Sequence, residues 1–153
     1  MAAIHSSKVI LVLCIALGGA GCSGKSDKPA ASLPVANPVP SLQKITLKTG
    51  TGAEIGSGQI AVVQYTGWLY EAGATDQKGK QFDSSRNAGQ PFKFSLDTGA
   101  VIKGWDQGLV GMKVGETRRL VIPPDLAYGD GGTGGVIPPG ATLVFDVELV
   151  RIE

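Results

Sequence analysis

The residues that stand out as candidates for chemistry are aromatic, because the usual catalytic side chains are nearly missing from this chain. The only histidine among the 153 residues is His5, and the only cysteines are Cys14 and Cys22. All three lie in an N-terminal segment with the features of a targeting signal, so cleavage would leave no histidine and at most one cysteine. This excludes a Ser-His-Asp or Cys-His site, a disulfide framework and the usual Cys/His zinc sites.

The aromatic rings are distributed over different predicted elements, at Tyr65, Phe82, Phe92, Trp105, Tyr128 and Phe145. Large rings are usually buried for packing, so any one of them alone is more easily explained as core. Two features favour a binding pocket. Tyr128 lies in a predicted turn, and the glycine-rich loop over 129–140 carries Val136 and Ile137. We expect this apolar pair to be exposed and able to cover a ligand.

Other binding motifs fail on spacing. The segment 73–80 lacks the spacing and the Ser or Thr of a phosphate loop, and 125–130 lacks the intervening ligands of a calcium loop. No Gly-x-Ser-x-Gly nucleophile motif is present. A net charge of +1 argues against nucleic acid as the main partner. We therefore predict no metal, no cofactor and no nucleic-acid partner.

The elements that must position the rings are predicted from hydrophobic alternation and turn signals. The predicted strands span 43–48, 59–70, 92–96, 117–122 and 142–152. Apolar residues at helical spacing over 101–109 predict one helix, which Gly104 and Gly108 would keep short. Together they predict an α+β fold, a twisted antiparallel β-sheet wrapped around one short α-helix.

The chain divides into a predicted signal peptide (1–21), a Pro/Ala/Ser-rich flexible tether (22–41) and one domain (42–153). The apolar run 9–17 is shorter than the roughly 20 residues of a spanning helix, although a single-span anchor or a buried helix is an alternative. The sequence around Cys22 resembles a bacterial lipobox, which predicts lipidation of Cys22. The protein would then be anchored at a bacterial membrane and would face the periplasm. Gly19 stands where that motif usually has an aliphatic residue, so cleavage after Ala20 to a soluble periplasmic or secreted protein is the alternative.

Seven segments of the domain are similar to the FKBP-type peptidyl-prolyl cis–trans isomerases. They are VQYTGWL (63–69), FDSS (82–85), PFKFSL (91–96), VIKGWDQGL (101–109), MKVGE (112–116), IPPDLAYG (122–129) and VIPPGATLVFDVEL (136–149). They occur in the family's order and cover nearly the whole domain. The resemblance implies an FKBP-like fold with an apolar basin that binds the prolyl ring.

The resemblance also implies roles for individual residues. Trp105 would form the floor of the basin. The backbone N–H of Ile102 and the hydroxyl of Tyr128 would hold substrate carbonyls, and Asp83 would accept or orient a hydrogen bond near the rotating amide. Ala88 stands where many members have a basic partner for that aspartate. We predict catalytic roles for Phe82, Asp83, Tyr128 and Phe145, and substrate binding by Tyr65, Phe92, Val101, Ile102, Trp105, Val136 and Ile137.

The activity that this resemblance implies is rotation about X–Pro bonds in proline-containing polypeptides, here during the folding of exported proteins. Macrolides such as rapamycin would occupy the same basin. A first alternative is a periplasmic chaperone or assembly factor that binds proline-containing segments with little turnover. A second is a structural surface lipoprotein with a vestigial pocket.

Overall fold

The structure is a computed structural model that describes residues 39–153. Its strands are β1 (Gln43–Lys48), β2 (Ile60–Tyr70), β3 (Lys78–Ser84), β4 (Phe92–Ser95), β5 (Thr117–Ile122) and β6 (Leu143–Ile152). Its helices are α1 (Ser85–Ala88) and α2 (Lys103–Leu109), and short 3-10 turns lie between these elements. The predicted signal peptide and all but the last three residues of the predicted tether lie outside the described residues, so these boundaries stay predictions.

The strands form one antiparallel sheet in the order β1-β5-β6-β2-β3. Strand β4 pairs with the first half of β2, while β3 pairs with its second half, so both lie along the same edge of β2. The register places Gly67, in the second half of β2, opposite Phe145 of β6 and Asp83 of β3. The three strands that carry Tyr65, Phe82, Asp83 and Phe145 are therefore neighbours.

Helix α2 covers the sheet, and two glycines allow it to approach β5 closely. A Cβ on Gly104 would collide with Ile122, and one on Gly108 would lie 2.7 Å from Cδ1 of Leu120. We predicted that these glycines limit the length of the helix. The structure gives them a further role, because the missing side chains bring the helix into contact with the sheet. Trp105 is thereby held in the core.

A cluster of charges attaches the start of β3 to the rest of the sheet. Arg119 on β5 donates to both carboxylate oxygens of Asp146 on β6, at 2.7 and 3.1 Å, and Lys78 donates to the same carboxylate at 2.7 Å. Burial alone would raise the pKa of Asp146, but the hydrogen bonds from Arg119 and Lys78 lower that pKa below its ordinary value. Asp76 adds a longer contact of 3.3 Å to Arg119. These charged contacts thus help to hold Asp76 and Lys78, at the start of β3, against β5 and β6.

The five predicted strands are all present, with ends within one residue of the prediction, and the predicted α+β fold class is confirmed. The helix begins two residues later than predicted, because Ile102 is extended, with φ −60° and ψ 146°. Strand β3 and helix α1 were not predicted. Strand β3 is mostly polar (KGKQFDS), so it shows no alternation, and its pairing with β2 makes it a strand. Within residues 39–153, no helix has the length and apolarity needed to cross a bilayer.

Candidate active site

Trp105 lies at the centre of a group of aromatic rings that arrive from separate strands. Tyr65 of β2, Phe92 of β4 and Phe145 of β6 pack around the indole at centroid distances of 5.0, 6.1 and 5.3 Å. Their planes are inclined to it by 81°, 78° and 86°, which is the favourable edge-to-face geometry. The indole N–H is buried and has no hydrogen-bond partner among residues 39–153. Within residues 39–153, ring packing rather than a polar contact therefore sets the position of the Trp105 side chain.

Two further rings extend this group. Phe82 of β3 stands edge-on to Phe145 at 5.5 Å and 89°. Phe94 of β4 stacks on Phe92 at 5.6 Å and also contacts Trp105 at 5.5 Å. Phe92 is 40% exposed and Phe94 is 6% exposed, so Phe92 lies at the rim and Phe94 supports it from below. We did not predict Phe94 as a site residue, although it lies two residues from Phe92 in a strand and so shares its face.

Gly67 allows two of the rings to meet across β2. A Cβ at this position would lie 2.7 Å from Cε1 of Phe145 and 2.8 Å from Cζ of Phe82. Both distances are shorter than real Cβ contacts allow, so the space in which the two phenyl rings meet exists because residue 67 has no side chain. We did not predict Gly67 as a site residue. A glycine inside an otherwise β-forming strand was the available signal.

The polar groups beside the aromatic rings are centred on Asp83. The Tyr65 hydroxyl donates to Oδ2 of Asp83 at 2.5 Å, and the Ser84 N–H donates to Oδ1 at 2.8 Å. Burial and then the hydrogen bond to Asp83 raise the pKa of Tyr65 well above its ordinary value. Burial and then the charge of Asp83 also raise the pKa of Tyr128 above its ordinary value. Both tyrosines therefore stay neutral hydrogen-bond donors at neutral pH.

The backbone at the start of α2 presents free donors, and the N–H of Ile102 is one of them. The carbonyl of Ile102 accepts from the N–H groups of Trp105 and Asp106 at 2.9 and 3.3 Å, which fixes the peptide next to the indole. The Ile102 N–H donates to no acceptor among residues 39–153. Val101 and Ile102 are half-buried and pack against the core that contains Trp105. The structure thus leaves an unpaired N–H beside the aromatic group, where a ligand carbonyl could bind.

The glycine-rich loop differs in one respect from the prediction. Val136 is 48% exposed, as expected, but Ile137 is 5% exposed and belongs to the core. The expectation that both residues are exposed was wrong for Ile137. Thr133 and Ile137 exchange backbone hydrogen bonds of 3.0 and 3.1 Å, which fold the loop back and turn Ile137 inward. Of this pair, only Val136 is left at the surface.

The structure therefore brings the rings of Tyr65, Phe82, Phe92, Trp105 and Phe145 into one continuous group of contacts, with the Asp83 carboxylate bonded to Tyr65 at its polar edge. Tyr128 lies in the turn after β5 and is 41% exposed. An open cavity of about 480 Å³ lies elsewhere, between the segment before β1, helix α2 and the turn after β5, and none of the predicted site residues lines it. Residues 39–153 contain no group of three or more His, Cys, Asp or Glu side chains that could hold a metal ion.

Comparison with known proteins identifies the class. Residues 52–150 match the family described as FKBP-type peptidyl-prolyl cis-trans isomerase. The FK506-binding protein 2B of Rhizopus delemar is 57% identical over 97 residues, which cover 63% of this chain and 44% of that protein. The chain thus spans less than half the length of that relative. The FK506-binding protein of Neisseria meningitidis serogroup B is 48% identical over 106 residues, covering 69% of this chain and 91% of that protein.

A solved structure agrees with the fold. The crystal structure of AtFKBP13 superposes with a TM-score of 0.63 at 39% identity, over 73% of this chain and 93% of that one. Since the family match spans more than half of the sequence, this chain belongs to the FKBP-type peptidyl-prolyl cis–trans isomerases. The enzyme class implied by the seven sequence segments is thereby confirmed.

Proposed function

We propose that this chain accelerates rotation about X–Pro bonds in exported polypeptides and that the aromatic basin around Trp105 is where the prolyl ring binds. The observation that carries this proposal is the perpendicular packing of Tyr65, Phe92 and Phe145 around the indole, beside the free N–H of Ile102. Rings from three strands supply an apolar enclosure, and the N–H supplies one directional contact for the peptide.

The chemistry follows from the electronic structure of the amide. Resonance sets a rotation barrier of about 18–20 kcal/mol, and the planar amide is more charge-separated than the twisted one. Transfer from water into an apolar basin therefore destabilises the planar state relative to the twisted state. Lowering the barrier by about 5–6 kcal/mol would accelerate rotation on the order of 10⁴-fold. No proton has to move, which suits a domain sequence without histidine.

Each polar group then has a positioning task. The N–H of Ile102 and the hydroxyl of Tyr128 hold substrate carbonyls on either side of the rotating bond. Asp83, oriented by Tyr65 and the Ser84 N–H, accepts or orients a hydrogen bond near the prolyl amide. Phe82 and Phe145 close the basin around the twisted bond. The raised pKa of Tyr128 supports this role, because a donor must keep its proton at working pH.

Macrolide binding in the same basin is a further part of the proposal. The relatives from Rhizopus delemar and Neisseria meningitidis are both called FK506-binding proteins. The aromatic basin, with the exposed ring of Phe92 at its rim, supports binding of a bulky apolar ligand here. Titration with rapamycin, with isomerase activity measured at each concentration, tests this point. Loss of activity as rapamycin is added supports binding in the same basin.

Export and membrane attachment rest on the sequence of the first 22 residues. The apolar run 9–17 and the lipobox-like sequence at Cys22 support a lipoprotein anchored at a bacterial membrane and facing the periplasm. Intact-mass measurement of the mature protein tests this directly. Acyl groups on Cys22 support the anchor, whereas cleavage after Ala20 without acylation shows a soluble exported protein.

The central experiment is the rate of cis–trans isomerisation of a short chromogenic X–Pro peptide, measured with and without the protein. Acceleration that saturates with substrate and is lost in Phe82→Ala supports the enzyme at this basin. A chaperone with little turnover would bind the same peptide and leave the isomerisation rate at its spontaneous value. That result would replace the catalytic proposal with the binding one.

A further inference from the structure

Asp106 is a buried carboxylate that the proposed mechanism does not use. It lies one residue after Trp105 in helix α2 and is only 8% exposed. Its Oδ1 accepts from the backbone N–H of Asp97 at 2.8 Å, and its Oδ2 accepts from the N–H of Gly99 at 3.0 Å. Both oxygens are thus bound to one loop, the connection between β4 and α2. Charge-assisted bonds of this kind are stronger than those between neutral groups.

The loop that Asp106 holds has little else to define it. Residues 97–100 are exposed, and Asp97 has a positive φ of 59°, a region that side chains other than glycine rarely adopt. Ser57 donates to the Asp97 carboxylate at 2.6 Å, and the Thr98 hydroxyl donates to the carbonyl of Ser95 at 3.0 Å. These outer contacts are exposed, whereas the bonds to Asp106 are partly buried, so the bonds to Asp106 are the main constraint on the backbone.

The same loop leads directly to the free N–H of Ile102, three residues beyond Gly99. The Ile102 carbonyl is fixed from the helix side by the N–H groups of Trp105 and Asp106. The Asp106 side chain fixes the backbone that arrives at Val101 from the other side. Asp106 therefore contributes to both approaches to Ile102, through its backbone N–H on the helix side and through its carboxylate on the loop side.

We propose that Asp106 is a positioning residue, which holds the loop over 97–101 so that the Ile102 N–H meets the substrate carbonyl. The inference rests on the proposed function, because it needs Ile102 to bind substrate. A donor that contacts the carbonyl in the planar and twisted states alike contributes to binding of both. Its misplacement raises KM and leaves kcat nearly unchanged.

The first experiment compares three variants with the wild type in the X–Pro peptide assay. Asp106→Asn keeps the shape but loses one acceptor, so one loop N–H is left unpaired, and we expect KM to rise by about fivefold with kcat within about twofold. Asp106→Glu keeps both acceptor oxygens and is expected to restore KM to within about threefold of wild type. A folded Asp106→Asn variant whose KM stays within about twofold of wild type overturns the proposal.

Glu116→Gln is the matched control. Glu116 is 6% exposed, accepts from the Lys113 N–H at 3.0 Å and pairs with Arg118 at 2.8 Å. Its neutralisation therefore also disturbs a buried carboxylate, one that has no contact with the loop over 97–101 in the structure of residues 39–153. We expect this variant to lose stability with an unchanged KM. An equal rise of KM in Glu116→Gln would show a general structural effect and overturn the specific role. Failure of the wild-type protein to isomerise the peptide would overturn the proposed function itself. Failure of the Asp106 proposal is distinguishable from it, because there the wild type is active and only the variant results differ from expectation.

Hydrogen exchange of the wild type decides the matter if Asp106→Asn does not fold. Asp97 and Gly99 donate to the buried carboxylate, whereas the Thr98 N–H between them has no acceptor among residues 39–153. We expect protection factors at Asp97 and Gly99 at least about tenfold above that at Thr98. Equal protection at the three amides would show that Asp106 does not hold this loop, and the proposal would fall.

Discussion

The hydroxyl of Tyr65 donates a 2.5 Å hydrogen bond to Oδ2 of Asp83, and this bond joins the centre of β2 to β3 at the rim of the basin. The ring of the same tyrosine packs edge-on to Trp105 at 5.0 Å. One side chain therefore connects Trp105 to the Asp83 carboxylate. Among residues 39–153, Asp83 forms no ion pair, so Tyr65 and the Ser84 N–H hold it where Ala88 offers no basic partner.

The first prediction concerns this pair. Tyr65→Phe and Asp83→Ala should each lower kcat/KM about tenfold, because either change removes the same hydrogen bond. The double variant should lose little more than Asp83→Ala alone, since residues that act through one bond are not additive. Tyr70→Phe, which changes the same residue type on the same strand, is the control and should leave kcat/KM unchanged. Two outcomes would contradict the proposed coupling of Tyr65 to Asp83. One is a double variant whose loss of kcat/KM is the sum of the two single losses in free energy, and the other is unchanged turnover in Asp83→Ala.

The second prediction separates the wall of the basin from its floor. Phe82 is half-buried, so Phe82→Ala should lower turnover and cost only about 1–2 kcal/mol of unfolding free energy. Trp105 is 4% exposed and contacts four rings, so Trp105→Ala should cost about 3–5 kcal/mol and abolish most activity. Urea unfolding and the peptide assay measure both quantities. Equal destabilisation by the two changes would show that Phe82 is core rather than wall.

The third prediction concerns Gly67. Gly67→Ala places a methyl group against Phe82 and Phe145, which should cost about 1–3 kcal/mol and lower kcat/KM as the two rings separate. Gly73→Ala is the matched control, because a Cβ there meets nothing within 4 Å. It should leave unfolding free energy and activity unchanged. A fully active Gly67→Ala variant would mean that the rings do not need their present spacing.

The fourth prediction removes a single backbone donor. Ile102 has φ −60°, close to the angle that proline's ring imposes, so Ile102→Pro deletes the N–H with little change in local backbone angle. Ile102→Ala deletes most of the side chain and keeps the N–H. We expect kcat/KM of the proline variant to be about tenfold below that of the alanine variant. Equal values in the isomerase assay would remove Ile102 from the substrate-binding groups.

The fifth prediction concerns pH. The pKa values of Tyr65 and Tyr128 are both raised, so each hydroxyl loses its proton only above its ordinary value of about 10. The proposed donors therefore stay intact throughout the neutral range. We expect kcat/KM to be flat from about pH 6 to 9 and to fall only at higher pH. A bell-shaped profile in the neutral range would indicate proton transfer and contradict rotation by desolvation alone.

Local pattern predicted much of this molecule. Alternation along β6 identified a half-buried strand, and the structure buries Phe145, Val147 and Leu149 on its inner face. Strand β3 escaped prediction because its polar sequence carries no periodic signal, although it supplies Phe82 and Asp83. The site itself was predicted by resemblance rather than by spacing, since its rings are far apart along the chain.

The sequence by itself determined the family, the antiparallel sheet with its short helix, and the set of aromatic residues available for a basin. Only the tertiary structure decided the contacts that these residues and their neighbours make. These are the hydrogen bond from Tyr65 to Asp83, the space between rings at Gly67, the burial of Ile137 and the hydrogen bonds from the loop over 97–99 to Asp106. The physical reason is that such contacts depend on strand register and sheet twist. Those are set by the whole network of backbone hydrogen bonds and not by any local run of residues.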